Sequence, residues 1–422
     1  MIERNTTMRN LDSFYKSIEE NLSKEAALAA RDFMSIYDDG IYKWLAGLWD
    51  KEIGGFYYSV SARDNEFVEV KGEKILLLPD IESTSQAFGS LLTDGIVSKM
   101  SDYPTAMKDK AVKFITSCQD PEDGYFYHKQ WGKNINTSRR ARDMNKGMST
   151  VRGFGGRSLY PTALERIKEA AETGSFDNNN STVPEHLRSK EAFIKYLESL
   201  DINGKITKGR SYWAGHTIGQ QIAEINAAGL TDVCYEFLNS TQCANGLWEE
   251  DVNYTSANGL MKISCAYNEL KRPFPRVVEA FDAAMDVACL DQPIDGITSV
   301  YNPPFTMLNL YGTVNSFYDN SVREECQKRL VEKAPLILRR AMEKVAPFKE
   351  PDGSFSYCKG SPASYSQGMP VCIPGLPESD VNANALAQGA RTMTFKALGI
   401  SNTPLFDEND AKIFFEIAGE SM

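Results

Sequence analysis

The sequence has neither a long hydrophobic run nor an excess of basic charge. Its longest tight apolar run, Ile75-Leu76-Leu77-Leu78, falls far short of the roughly 18 residues that a membrane-spanning helix needs. Among its 422 residues, 46 Lys and Arg stand against 57 Asp and Glu, which gives a net charge of −11. A sequence-independent nucleic-acid binder needs basic charge to neutralise phosphates. We therefore expect neither a membrane span nor a nucleic-acid partner.

Several signatures of catalysis and export are also missing. The chain has no P-loop, no Rossmann glycine fingerprint, no H-E-x-x-H and no G-x-S-x-G. Its eight cysteines include no C-x-x-C pair, which argues against zinc-ribbon and thioredoxin-like sites. The first residues, MIERNTTMRN, carry charges without the apolar stretch of a secretory signal. We expect reduced thiols, a cytoplasmic protein, and no bound cofactor or metal ion.

A turn motif recurs along the chain, in which Asx-Gly is followed closely by a large apolar side chain. Asx-Gly favours turns because both residues tolerate positive φ. The six copies, 42 to 80 residues apart, are Gly54-Gly55-Phe56, Asp123-Gly124-Tyr125-Phe126, Asn203-Gly204-Lys205-Ile206, Asn245-Gly246-Leu247-Trp248, Asp295-Gly296-Ile297-Thr298 and Asp352-Gly353-Ser354-Phe355. A repeat of this length indicates a fold built from similar units.

Helical periodicity fills the segments between these turns. One set of predicted helices precedes the turns and is rich in charge: 9–36, 104–118, 187–200, 231–240, 274–290 and 323–344. A second set follows them and is richer in small residues: 81–94, 145–172 (interrupted), 211–229, 255–270, 304–316 and 380–398. Helices with little charge suit an inner ring that is packed on all sides.

These patterns predict an all-α protein, a single (α/α)6 toroid over residues 1–422. Six outer and six inner helices alternate, with short β-like turns between an outer helix and the inner helix that follows. The stretch 133–160 is rich in Gly and Arg and breaks the helical period. We expect it to be an irregular insertion that lids the central cavity.

Two of the turns resemble the Q-x(n)-G-x-W repeat of the terpenoid cyclase and protein prenyltransferase superfamily. Gln242 to Trp248 matches that repeat, and Gln119 to Phe126 resembles it with Phe in place of Trp. The resemblance spans about 50–400 and implies a toroid. The chain lacks the D-x-D-D acid of class II terpene cyclases. Similar toroids also serve sugar hydrolases, polysaccharide lyases and epimerases, so the fold does not decide the activity.

Acidic residues recur where the inner helices are predicted to begin, at one mouth of the toroid. The string D-[VI]-[NE] starts at Asp80, Asp251 and Asp380, and its first copy includes Glu82. Glu249 lies just before the second copy. An Asp at such a position caps a helix, whereas carboxylates that converge on a cavity can act as general acid and base. We take these five acids as catalytic candidates.

Aromatic and basic residues complete the candidate site. Tyr212 and His216 share one helix face and are the other catalytic candidates, since Tyr and His can exchange protons with a uronic-acid sugar. Arginines near 139–157 suit an anionic substrate such as a uronate, sulfate or diphosphate, or form a solvated basic loop. The expected substrate-binding residues are His128, Trp131, Arg152, Trp213, Trp248, Tyr301 and Asn382.

The polar inner segments, such as ESTSQA and DVNYTSAN, favour a sugar-binding cavity over the dry aromatic cavity that carbocations need. The main interpretation is a carbohydrate-active enzyme, a glycoside hydrolase or polysaccharide lyase, that acts on an oligosaccharide or small molecule in the central cavity. The alternatives are an isoprenoid or terpene cyclase-like enzyme and a non-catalytic toroid that binds a glycan or a protein.

Overall fold

Helices make up most of the computed structural model, which describes residues 11–174 and 183–421. The helices are α1 (Asp12–Asn21), α2 (Lys24–Met34), α3 (Gly40–Gly47), α4 (Val60–Asp64), α5 (Ile81–Asp94), α6 (Thr105–Ser117), α7 (Thr137–Gly153), α8 (Ala163–Thr173), α9 (Lys190–Ser199), α10 (Arg210–Ala227), α11 (Thr231–Thr241), α12 (Tyr254–Leu270), α13 (Val277–Cys289), α14 (Thr298–Phe317), α15 (Asn320–Val345), α16 (Val381–Ala397) and α17 (Glu408–Ile417). Short strands pair as antiparallel hairpins: β1 (Trp49–Asp50) with β2 (Gly55–Phe56), β3 (Phe67–Val70) with β4 (Glu73–Leu76), and β5 (Tyr365–Ser366) with β6 (Met369–Pro370). The all-α prediction is confirmed; residues 9 and 10 of the first predicted helix lie outside the described ranges.

A closed circuit of helices surrounds the centre of the molecule. Helix α5 packs against α7, α7 against α10, α10 against α12, α12 against α14, α14 against α16, and α16 back against α5. We call these helices the inner ring. Apart from α7, which is rich in arginine, they are poor in charge, and they bury residues on several faces, as helices with neighbours on both sides must.

Other helices pack on the outside of this ring. Helix α2 packs on α15, and α13 packs on both α14 and α15. Helix α6 packs on α7, α8 on α10, and α9 on α11. In α13 the buried Val277, Phe281 and Met285 fall on one stripe, so a single face of the helix points to the core.

The recurring turns anchor one outer helix to the next. Gly246 has φ 78°, and a Cβ on it would lie 2.3 Å from the backbone nitrogen of Ala280 in α13. The Gln242 side chain donates to the carbonyl oxygens of Gly246 at 2.9 Å and Pro275 at 3.0 Å. The motif therefore needs glycine for its conformation and for the close approach of α13.

The prediction of irregular structure over 133–160 is wrong for most of that segment. Residues 137–153 form α7, a member of the inner ring. The buried Met144, Met148 and Val151 follow a helical spacing, but the many Arg, Ser and Gly residues between them hid it in the sequence. The predicted inner helix 145–172 is correspondingly two helices, of which α8 lies outside the ring.

No helix in the described parts of the chain is both long enough and apolar enough to cross a membrane.

Candidate functional site

A cavity of about 660 Å³ lies inside the inner ring. Each helix of the ring contributes side chains to it, as do Tyr357 and Gln367 from the segment before α16. Enclosed space of this size is typical of a small-molecule site.

The cavity has two chemically different walls. Helices α5, α7 and α10 present polar groups, including Gln86, Asn145 and Gln220. Helices α14 and α16 present aromatic and apolar side chains, interspersed with the polar Asn302, Gln388 and Thr392; the apolar and aromatic ones are Tyr301, Phe305, Ala385, Leu386 and Met393. Such a cavity matches a ligand with one polar end and an apolar body.

Three cationic side chains stand on the polar side. Arg142 and Lys146 are one turn apart on α7, and Lys262 reaches the same cavity from α12, with Nζ 5.7 Å from the centre of the Tyr212 ring. Burial, and after it the charge of Arg142, lower the pKa of Lys146 to about 8, while the charge of Glu82 opposes the shift. Burial and the charges of Arg142 and Lys146 also bring the pKa of Lys262 to about 8, while Glu82 opposes the shift.

Neither lysine has a carboxylate at ion-pairing distance among residues 11–174 and 183–421. Arg142, in contrast, is neutralised by Glu82, to which its Nε donates at 2.6 Å. Two partly buried ammonium groups thus face the cavity without a carboxylate at ion-pairing distance in the described parts of the chain. Because uncompensated buried charge is unfavourable, an anionic ligand here would be strongly stabilised.

Glu82 belongs to a buried ion cluster at the start of α5. Its Oε2 accepts hydrogen bonds from Arg139 at 3.2 Å and from the Ser366 hydroxyl at 2.8 Å. Burial alone would raise the pKa of Glu82, but the charges of Arg142 and Arg139 outweigh burial and bring it down to about 2. Glu82 is therefore a permanent anion that orients the arginines, a different task from general acid catalysis at neutral pH.

Asp80 and Asp380 cap the inner helices α5 and α16. Asp80 accepts from the Ser83 backbone at 3.0 Å and from Arg139 at 3.2 Å. Asp380 accepts from the Ala383 backbone at 2.7 Å and from that of Ala363 at 3.2 Å, and burial raises its pKa to about 7. Both carboxylates are buried, and neither lines the cavity.

Glu249 and Asp251 occupy unlike positions. Glu249 accepts hydrogen bonds from the backbone nitrogens of Gly209 at 2.9 Å and Ser211 at 3.0 Å, so it caps α10 from a neighbouring loop. The residue at the cap position is Gly209, which has no side chain to do so. Asp251 is exposed, and the cap of α12 is Asn253, against the expectation that each Asp of the motif begins a helix.

Tyr212 and His216 lie on the cavity side of α10, as their spacing predicts. Tyr212 lines the cavity. His216 is buried, and neither of its ring nitrogens has a hydrogen-bond partner among the described residues. The Gln367 side chain lies near the ring but does not form a hydrogen bond of ordinary geometry with it. Burial lowers the pKa of His216 to about 3, so the imidazole is neutral at neutral pH.

The remaining sequence candidates divide between the cavity and other places. Tyr301 and Asn382 line the cavity. Trp213 is 58% exposed, and Arg152 is exposed at the end of α7. Trp248 is buried in the core, where its indole donates to the Leu238 carbonyl at 3.1 Å.

His128 and Trp131 form part of the wall behind the ion cluster. His128 is buried, with Nε2 3.5 Å from the Asp143 carboxylate. The Trp131 indole donates to the Pro370 carbonyl at 3.3 Å, and the Arg139 guanidinium lies 4.4 Å from the centre of its ring. Neither of these two expected substrate-binding side chains lines the cavity.

The hairpin β5–β6 reaches the cavity in place of the predicted lid. Its turn residue Gln367 lines the cavity with φ 53°, and the following Gly368 has φ 82°. The Asn136 side chain donates to the Gln367 carbonyl at 2.6 Å, which ties the hairpin to α7.

The sequence reasoning missed Lys146 and Lys262, although each left a signal. Lys146 follows Arg142 by four residues, the spacing that places two side chains on one helix face. Lys262 is the one charged residue in the first fifteen positions of α12, Tyr254–Leu270. A lone cation in an otherwise uncharged inner helix points to the cavity.

Among the described residues, no group of three or more His, Cys, Asp or Glu side chains is placed to hold a metal ion.

Comparisons with known proteins give a likeness of fold at low sequence identity. No protein-family model matches the chain, and no curated protein matches it in sequence. Among solved structures, it is similar to the type II terpene cyclase MstE from Scytonema. A variant of MstE in complex with its product, merosterolic acid A, matches with a TM-score of 0.40 and 12% identity over 89% of this chain and 99% of that one. Apo MstE matches with a TM-score of 0.38 and 12% identity over 90% and 99%.

The closed circuit of six inner helices is the arrangement that the predicted resemblance to terpenoid cyclase-like α/α-toroids implies. The main functional interpretation, a glycoside hydrolase or polysaccharide lyase on an oligosaccharide, is wrong, because four of the five carboxylates expected to act as general acid and base are engaged in other contacts. Three of these carboxylates, Asp80, Asp380 and Glu249, accept hydrogen bonds from backbone N–H groups. The fourth, Glu82, forms an ion pair with Arg142.

Proposed function

We propose that the central cavity binds a small amphiphilic anion, and that the ligand is an isoprenoid bearing a carboxylate or diphosphate. The observation that carries this proposal is the pair Lys146 and Lys262, two partly buried ammonium groups without a carboxylate partner among the described residues. The proposal takes up the isoprenoid alternative from the sequence and adds an anionic group to the substrate.

The division of the cavity into two walls supports an amphiphile. Lys146 and Lys262, with Arg142 beside them, would hold the anion through charge-assisted hydrogen bonds. Tyr301, Phe305 and the apolar part of α16 would contact the isoprenoid body. Tyr212 and Asn382, which also line the cavity, are the sequence candidates that we propose as further ligand contacts.

We propose the finer architecture as a single (α/α)6 toroid. The inner ring would be surrounded by six outer helices, α2, α6, α9, α11, α13 and α15. Two contacts between distant parts of the chain support one closed domain: α16 packs on α5, and α15 packs on α2.

A matched set of probes tests the binding proposal. Farnesyl diphosphate, farnesoate and the neutral alcohol farnesol share one hydrocarbon chain and differ in the head group. Binding is measured by calorimetry at pH 7 for the wild type and for the double variant Lys146→Met with Lys262→Met. We expect one or both anions to bind the wild type at least ~10-fold more tightly than farnesol, and this preference to vanish in the double variant.

Two results would contradict the proposal: equal affinity for farnesol and the anions, or an anion preference that survives in the double variant. Incubation with the bound anion, followed by product analysis, then separates an isoprenoid-converting enzyme from the non-catalytic alternative.

A further inference from the structure

Two glutamines that line the cavity, one on α5 and one on α16, carry buried side-chain atoms without hydrogen-bond partners among the described residues. They are Gln86 and Gln388. Gln388 is 1% exposed, and neither its Oε1 nor its Nε2 has a hydrogen-bond partner among the described residues. Gln86 donates from Nε2 to the Asn382 side chain at 2.9 Å. Its buried Oε1 has no hydrogen-bond partner among the described residues either.

Gln388 differs in this from the other buried amide of its helix. The Asn384 side chain donates to the carbonyl of Asp380 at 2.8 Å and accepts from the backbone of Phe355 at 3.1 Å. A buried polar group without a partner is unfavourable, so such groups are usually paired. Because Gln388 faces the cavity, a bound ligand can supply its partner.

The free atoms of the two amides specify the chemistry of that partner. The Nε2 of Gln388 needs an acceptor, and the Oε1 atoms of Gln388 and Gln86 need a donor. A hydroxyl group can accept from Nε2 of Gln388 and donate its one proton to one Oε1 atom, whereas a ketone or an ester can only accept and would leave both Oε1 atoms unpaired. Exchange of oxygen and nitrogen in the Gln388 amide does not change this requirement.

We propose that the ligand carries an uncharged hydroxyl group on its apolar body and that Gln388, assisted by Gln86, recognises it. This inference rests on the proposed function, since the lysines hold the other end of the same molecule. The substrate class becomes a hydroxylated amphiphilic anion. Gln388 is then a specificity-determining residue: a site built to hydrogen-bond a hydroxyl discriminates strongly against an analogue that lacks it.

The test compares simple carboxylates that differ in one oxygen atom. The probes are dodecanoate and its isomers with a single hydroxyl at mid-chain or at the terminal carbon, titrated by calorimetry at pH 7. We expect the wild type to bind at least one hydroxylated isomer about 10-fold more tightly than dodecanoate. In Gln388→Met, which keeps the length of the side chain, that preference disappears while dodecanoate affinity stays within about 2-fold.

A control on another wall makes the result specific. Gln220 also lines the cavity, from α10, and Gln220→Met is expected to keep the hydroxyl preference. If Gln388→Met does not fold, Gln388→Asn replaces it, because the shortened amide loses the same contact. The inference is overturned if the wild type does not prefer a hydroxylated isomer, or if that preference survives substitution of Gln388. Failure of dodecanoate and all its isomers to bind counts against the proposed function instead.

Discussion

Arg142 and Lys146 stand one turn apart on α7, and only Arg142 has a carboxylate partner. Its Nε lies 2.6 Å from Oε1 of Glu82, whereas Lys146 faces the cavity without an ion pair in the described parts of the chain. The empty protein therefore keeps like charges close together at a cost in stability. An anion bound between Lys146 and Lys262 removes that cost, which links ligand affinity to the instability of the free site.

Removal of either cavity lysine should stabilise the free protein and weaken anion binding. Because burial and Arg142 lower both lysine pKa values, we expect Lys146→Met or Lys262→Met to raise the free energy of unfolding at pH 7 by about 1–2 kcal/mol, allowing for solvent in the cavity. Farnesoate affinity should fall ~10-fold or more. Chemical denaturation and calorimetry measure the two effects.

Lys168 provides the matched control. Its side chain is 69% exposed and pairs with Glu172. Lys168→Met should therefore change the free energy of unfolding by less than ~0.5 kcal/mol and leave the farnesoate affinity unchanged. A cavity variant that is less stable than the wild type would show that the lysines are already compensated.

Glu82 should contribute stability in a defined pH range. Its pKa is lowered from 4.5 to about 2, so its contribution is present above pH 4.5 and is lost as the pH falls to 2. Glu82→Gln leaves Arg139 and Arg142 undercompensated, and we expect a loss of about 3 kcal/mol at pH 7 that shrinks towards pH 2. Denaturation curves across this pH range measure it.

An exposed carboxylate separates this effect from a general effect of charge. Glu122 has 81% of its side chain exposed, and Glu122→Gln should cost less than ~0.5 kcal/mol at any pH. Equal losses at pH 7 and pH 2.5 in Glu82→Gln would refute the assigned role of its charge.

Gly89 offers a way to fill the cavity without disturbing its walls. It lies in α5, lines the cavity, and a Cβ placed on it meets no atom within 4 Å. We expect Gly89→Phe to weaken binding of farnesoate or dodecanoate by ~100-fold while the melting temperature changes by only a few degrees. Gly89→Ala should bind normally and gain about 0.5–1 kcal/mol, because alanine favours a helix. Unchanged binding in Gly89→Phe would place the ligand elsewhere.

Two copies of the turn motif should respond differently to the same substitution. Gly246 has positive φ and touches Ala280, so Gly246→Ala should cost about 2 kcal/mol or more. Gly296 has no positive φ, and its nearest contact for a Cβ is an ordinary 3.5 Å, so Gly296→Ala should stay within ~0.5 kcal/mol. Thermal unfolding compares the pair. Similar losses of stability would mean that the turn at Gly296 anchors its helices as firmly as the turn at Gly246.

Low charge made most of the inner ring predictable from the sequence. The predicted helix 81–94 coincides with α5, and 380–398 lies within one residue of α16. Charged residues and prolines made the other parts of the inner ring, α7 and the start of α14, harder to predict. The arginines hid α7, and the prediction began α14 at 304 because Pro303 and Pro304 disfavour a helix interior. In the structure α14 begins at Thr298 and buries both prolines in the ring, so packing overrides local preference.

The candidate site is harder to predict, because the same residue type can have different roles: an Asp can cap a helix or act in catalysis, and a Lys can line a cavity or face solvent. Asp80 and Asp380 were recognised by their place at helix starts, and capping is what the structure assigns to them. The residues that distinguish the cavity lie in mid-helix, where a single Lys resembles a solvated surface residue. Only closure of the ring brings Lys146 and Lys262 to one enclosed space.

Proton uptake on ligand binding tests the central claim most directly. In the free protein both lysine pKa values are about 8, so at pH 8.5 a large fraction of each is neutral. A bound carboxylate raises these pKa values towards 10.5, and the complex takes up about one proton at pH 8.5 but almost none at pH 6. Calorimetry with farnesoate in buffers of different ionisation enthalpy counts the protons. Uptake at pH 8.5 that is lost in the double lysine variant is the predicted result. Tight binding at pH 8.5 without proton uptake would contradict it.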